Sequence, residues 1–145
     1  MNQSILAPAA VLVVWSLIML LWAALTRFPA MKAAGIVPKD NPPGGRGQDL
    51  DPLLPPSVSW KSHNYTHLME QPTLFYATVI ILALSGQDTE TNVMLAWAYT
   101  IIRIAHSIWQ ATVNTIIPVR FTLFLLSTIC LFVLAINAVR ATLGT

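Results

Sequence analysis

The chain has 145 residues, 55% hydrophobic and 10% charged, with a formal net charge of +2 at neutral pH. Charged residues are far scarcer than the roughly 25% of an ordinary soluble domain, so water is not the main solvent of this chain. Eight Lys/Arg against six Asp/Glu, with no basic run, exclude a nucleic-acid footprint.

At about 20 apolar residues per membrane crossing, the length accommodates four helical spans and one sizeable loop in a single membrane domain, residues 1–145. The first span is expected over residues 5–25, which hold no charge; Pro8 falls in its first turn, where a missing N–H costs little. It lacks the basic opening and short apolar core of a cleavable signal, and is expected to stay in the membrane. Trp22 and Arg27 mark its far interface. Residues 27–61 follow as a connection containing KDNPPGGRGQDLDPLLPP, whose Pro and Gly pairs predict an extended surface loop.

The second span, residues 63–84, opens on the polar stretch HNYTHLMEQP and turns apolar only from Thr73, so its first turns must be buried against protein. After the short link SGQDTET, the third span, residues 93–117, carries Arg103, His106, Gln110 and Asn114. A break near Pro118 leads to the fourth, residues 120–139, with arginines only near its ends. It holds Cys130, the single cysteine, which excludes an intrachain disulfide and reads as inert buried packing. Short connections predict an all-α, integral membrane, four-helix up-down bundle. The first connection holds Arg27, Lys32, Lys39, Arg46 and Lys61, while the second holds only acids, which predicts a cytoplasmic long loop. Arg120 agrees by alternation, and Arg140 pulls the other way.

An ion at membrane depth costs several kcal/mol unless compensated, so the intramembrane polar residues are the functional candidates. Arg103, His106, Gln110 and Asn114 stand at i, i+3, i+7 and i+11, within an arc of roughly 80° on one helix face. On the second span His63, His67 and Glu70 stand at i, i+4 and i+7, with Asn64 and Gln71 at the edge. These stripes are expected to face each other, with Glu70 paired to Arg103, either as helix glue or as part of a site. His63, His67 and Glu70, with His106 as a fourth ligand, also form a candidate metal set, although Arg103 would repel a cation. Trp15, Trp60, Trp97 and Trp109 read as packing or interface residues. A transporter is disfavoured by the lack of an internal repeat.

His63-x3-His67-x2-Glu70 followed by Pro72, Arg103-x-x-His106, and Arg120 opening the fourth helix resemble a family pattern across nearly the whole chain. The family is that of the membrane-associated proteins in eicosanoid and glutathione metabolism, which includes microsomal glutathione transferases, leukotriene C4 synthase and prostaglandin E synthase. Its signature is Arg-x3-Asn-x2-Glu before a proline on helix two and commonly Arg-x-x-His on helix three. Here the signature Arg and Asn are both replaced by histidine, and Gln110 stands where some members have tyrosine. The resemblance implies a homotrimer with sites between subunits and glutathione as cofactor, held by His63, His67, Glu70, Arg103, His106 and Gln110. It also implies Arg120 as the catalytic, thiolate-stabilising residue. The expected activity is a glutathione-dependent transferase or peroxidase acting on lipophilic electrophiles, in a bacterial inner membrane. Its partners would be further copies of the chain and lipid or lipophilic small molecules. The alternatives are a non-catalytic lipid binder or scaffold, favoured by the two histidine replacements, and a His/Glu metal protein.

Overall fold

A computed structural model describes residues 4–115 and 117–144. Five α-helices follow in order among them: α1 (Leu6–Ala33), α2 (Pro56–Leu68), α3 (Gln71–Leu84), α4 (Glu90–Thr112) and α5 (Ile117–Leu143). The all-helical expectation holds, but the count of four becomes five because the second span is interrupted. Pro72 has no N–H to give, and its ring collides with the carbonyl four residues back, that of Leu68. Helix α2 therefore ends at Leu68, and Met69 and Glu70 form a break before α3 begins.

The expected boundaries shift for identifiable reasons. Helix α1 runs on to Ala33, past the expected end at residue 25 and through Pro29. Helix α2 starts at Pro56 rather than residue 63, because Pro56 at its first position needs no intrahelical partner for its nitrogen. Helix α4 begins at Glu90, where the Thr89 hydroxyl accepts from the Asn92 N–H and an acid in the first turn suits the helix dipole. It ends at Thr112, so Asn114, at φ +44°, has left the helix and is not on the Arg103–His106–Gln110 face as expected. Gly86, at φ +69°, closes α3: its N–H meets the Ala83 carbonyl and the Gln87 N–H that of Leu82, a pairing that needs the left-handed conformation.

Contacts at both ends of the bundle fix its up-and-down course. The Ile5 N–H donates to Asp88, between α3 and α4, at 3.2 Å, and Arg27 near the end of α1 donates to Ser62 in α2 at 3.0 Å. Asn137 near the end of α5 donates to Asn92 near the start of α4 at 2.8 Å. On α1 the buried residues Pro8, Leu12, Ser16, Met19 and Ala23 repeat at helical period, facing a core of Phe75, Val79, Leu82, Tyr99 and Leu134. Val14, Leu17, Leu21 and Leu25 point outward, as do Phe121, Ile129, Phe132 and Ile136 on α5. So much exposed aliphatic surface suits a lipid solvent.

By length and composition, three segments can cross a membrane: Leu6–Ala33, the α2–α3 stretch Pro56–Leu84, and Ile117–Leu143. The fourth expected span, α4, is not apolar enough, because Arg103, His106, Ser107 and Gln110 depress its hydropathy. All four of those side chains are buried, so its polar face lies inside the bundle. Hydropathy alone undervalues a helix of this kind.

The long connection is shorter and more structured than expected. It runs from Ala34 to Pro55 and contains two 3₁₀ turns, Pro38–Asp40 and Gly47–Leu53. Cys130 is half-buried rather than sealed in the core.

Candidate functional site

A cavity of about 970 Å³ opens at the loop end of the bundle, at the upper end of the range for small-molecule sites. Its walls come from the second half of α1, the Gly47–Leu53 turn, α2, the C-terminal part of α4 and the start of α5.

Of the residues predicted from sequence, His63, His67, Glu70, His106, Gln110 and Arg120 all line it. The break after α2 sets part of this geometry. It turns the chain so that Glu70 Oε2 lies 3.4 Å from His67 Nδ1, while the His67 ring rests 5.0 Å from that of His106 and 5.8 Å from Phe124. Gln110 is 8% exposed, one helical turn beyond His106. Arg120 donates from Nη1 to Asn114 Oδ1 at 2.9 Å, so the residue that left the α4 stripe steers the arginine instead.

Arg103 is the exception. It is the largest fully buried side chain, 0% exposed, and does not line the cavity. The expected ion pair with Glu70 is not formed: Glu70 turns to His67, and all three guanidinium nitrogens of Arg103 lack a hydrogen-bond partner among the described residues. The guanidinium carbon lies 5.7 Å from the Phe124 ring centre, a cation–π approach that only partly offsets its desolvation. Phe124 thus lies against both Arg103 and His67.

The metal set also fails to assemble. His63 leaves it for the loop, placing Nε2 2.7 Å from Asp51 Oδ2. Among the described residues no cluster of three or more His, Cys, Asp or Glu side chains could hold a metal ion.

Sequence reasoning missed Arg27, Arg46 and Asp51, which also line the cavity. Arg27, expected only as an interface marker, donates to Ser62 and to the Gly47 carbonyl and lies 3.5 Å from Asp51. Asp51 therefore ties the loop to α1 through Arg27 and to α2 through His63. The connection holds three acids, Asp40, Asp49 and Asp51, among five basic residues, and no local spacing said which of them would meet a helix. Arg46 pairs with Asp49 at 3.3 Å on the exposed side of the same turn. The Arg46 backbone N–H, at 2.8 Å, holds the Asp49 carboxyl below the usual carboxylate range, with the Arg46 charge assisting. An Asp51→Asn substitution weakens both ties of the turn, and protease cleavage within residues 34–55 should accelerate while helical circular dichroism is retained. An unchanged cleavage rate would show that the turn is held by other contacts.

The site thus combines three arginines and two acids with an apolar wall of Leu20, Phe28, Ile117, Phe121 and Phe124. Such a surface can hold a zwitterionic, multiply charged small molecule beside a lipophilic one. In comparisons with known proteins, the sequence model of the MAPEG family matches residues 5–140. No curated protein and no solved structure matches the chain.

Proposed function

Because the chain belongs to the MAPEG family and is a membrane protein with three spans of sufficient length and apolarity, we propose that it is a glutathione-dependent transferase or peroxidase acting on lipophilic electrophiles. The observation that carries this reading is the composition of the cavity: Arg27, Arg46 and Arg120 with Glu70 and Asp51, against an aromatic and aliphatic wall. Glutathione has two carboxylates, one ammonium and one thiol, so it needs cations, an acid and a group that stabilises a thiolate. Arg120 takes the last role. A guanidinium close to a thiol near pKa 8.5 lowers that value by about 1–2 units and raises the fraction of nucleophile at neutral pH. The electrophile enters from lipid along α1 and α5, past Phe28 and Phe121, and meets the thiolate at the apolar wall.

The same reading carries a homotrimer, with neighbouring copies completing the open side of the cavity. It also places the long loop in the cytoplasm of a bacterial cell, its membrane being the inner one. The five basic residues of residues 27–61 support that orientation.

One observation favours a second reading, a non-catalytic lipid binder or scaffold. The two histidines that replace the family's Arg and Asn are both engaged within the protein, His63 by Asp51 and His67 by Glu70. Neither is left to receive a ligand carboxylate as an arginine would. Calorimetric titration of glutathione into the purified protein separates the two. Saturable heat that weakens about tenfold or more in a Glu70→Gln variant is expected, since the ammonium would lose a charged partner. No heat with the unmodified protein would favour the binder.

A further inference from the structure

We propose that His67, oriented by Glu70, is the general base that removes the thiol proton in the cavity; this deepens the glutathione reading and rests on it. The helix break between α2 and α3 sets the geometry. Pro72 stops α2 at Leu68, and the two-residue break turns Glu70 back so that Oε2 meets His67 Nδ1 at 3.4 Å. A carboxylate that accepts from Nδ1–H fixes the tautomer, leaving the lone pair on Nε2. Nε2 has no hydrogen-bond partner among the described residues, and His67 lines the cavity. The ring is held between His106 on α4 and Phe124 on α5, so its direction is set by packing as well as by Glu70.

Of the three cavity imidazoles, His63 and His67 each have an acid on one ring nitrogen and His106 has none among the described residues. His63 is half-exposed and tied to the loop through Asp51, whereas His67 is packed between His106 and Phe124. Positive charge gained by His67 develops against Glu70, whereas charge gained by His106 develops on the same helix as the unpaired Arg103. The other charged groups acting on His67 are Arg103 on α4, which lies beside Phe124, and Arg120 on α5. Arg120 has no lone pair to take a proton and acts on the sulfur only by its field. The division of labour is therefore a base on the broken helix and a cation at the start of α5. The Glu70 side chain is still 64% exposed, so its other oxygen remains available to a ligand ammonium.

The step balances without an oxidant. The S–H bond breaks, its proton passes to His67 Nε2, and the electron pair stays on sulfur beside Arg120. Sulfur then bonds to the electrophilic carbon of an activated alkene, whose π pair moves onto the activating group. The proton on Nε2 returns to the adduct carbon.

The experiment measures conjugation of glutathione to a lipophilic activated alkene by the full-length protein in detergent, with glutathione affinity measured in parallel by calorimetry. His67→Asn should lower kcat by about 100-fold, within the range for loss of a general base, while affinity stays within about threefold. His67→Ala should be partly rescued by added imidazole, which a purely structural loss would not be. Glu70→Gln should give a smaller fall in kcat and shift the pH profile. A wild-type rate in the His67→Asn variant overturns the base but leaves glutathione chemistry standing. Parallel loss of affinity without imidazole rescue makes His67 a binding residue and also overturns the proposal. Failure of the unmodified protein to bind glutathione overturns both the proposal and the reading beneath it. If His67→Asn does not yield folded protein, the imidazole rescue of His67→Ala and the pH profile of Glu70→Gln decide.

Discussion

Replacing Arg120 with alanine should lower the thiolate fraction of bound glutathione about 8- to 25-fold at neutral pH, read directly from ultraviolet thiolate absorbance. The effect is electrostatic. Arg120 lines the cavity at the start of α5, where its guanidinium is fixed by one hydrogen bond to Asn114 at 2.9 Å. The cavity is flanked by Phe121 and Phe124, and in such surroundings a fixed cation stabilises an anion more than it does in open water. Lysine at this position should recover part of the effect, because it restores charge without the planar donors. Asn114→Ala should have a smaller effect in the same direction, since it frees the guanidinium without removing it. Unchanged thiolate absorbance in Arg120→Ala would remove Arg120 from the chemistry.

The largest expected effect on stability lies elsewhere. Phe75 is 0% exposed in α3 and stacks on Tyr99 of α4 with ring centres 4.2 Å apart. Truncation to alanine deletes a fully buried ring and leaves a cavity at a helix–helix contact. The cost should be about 3–5 kcal/mol, of which the aromatic contact itself accounts for roughly 0.5–1.5 kcal/mol. Phe75→Leu should cost clearly less, because most of the volume is kept. Denaturant-induced unfolding in detergent, followed by circular dichroism, checks both. Equal effects of the two substitutions would show that packing volume is not what Phe75 contributes.

How far the sequence could be read depended on how local the determining physics was. Uninterrupted apolar runs revealed α1 and α5, because lipid exposure leaves little freedom in composition. The α4 stripe was legible for Arg103, His106 and Gln110, since a helix repeats its face at 100° per residue. It failed at Asn114, where the helix had already ended. The break at Met69–Glu70 was available in principle from Pro72, whose ring must meet the Leu68 carbonyl in a continuous helix. That break decides which partner Glu70 takes, and so the pairing expected with Arg103 was wrong for a local reason. Asp51 was illegible for the opposite reason. Its ties to Arg27 and His63 span a loop whose Pro and Gly pairs suggested no structure, and no spacing rule connects a loop acid to two helices.

The buried Arg103 links these observations. In its place an ion pair would have been the ordinary solution, yet the guanidinium has Phe124 beside it and no anion within hydrogen-bond reach among the described residues. Its charge and that of Arg120 both act on the cavity histidines His67 and His106.

The central claim is that glutathione occupies the cavity between the broken helix and the start of α5. A crystal structure of the protein grown from a lipid phase with glutathione tests it most directly. The account predicts the tripeptide in that cavity, with its sulfur near Arg120 and His67 and its ammonium within hydrogen-bond reach of Glu70. Density for a lipid chain in the cavity, with glutathione absent at saturating concentration, would contradict it.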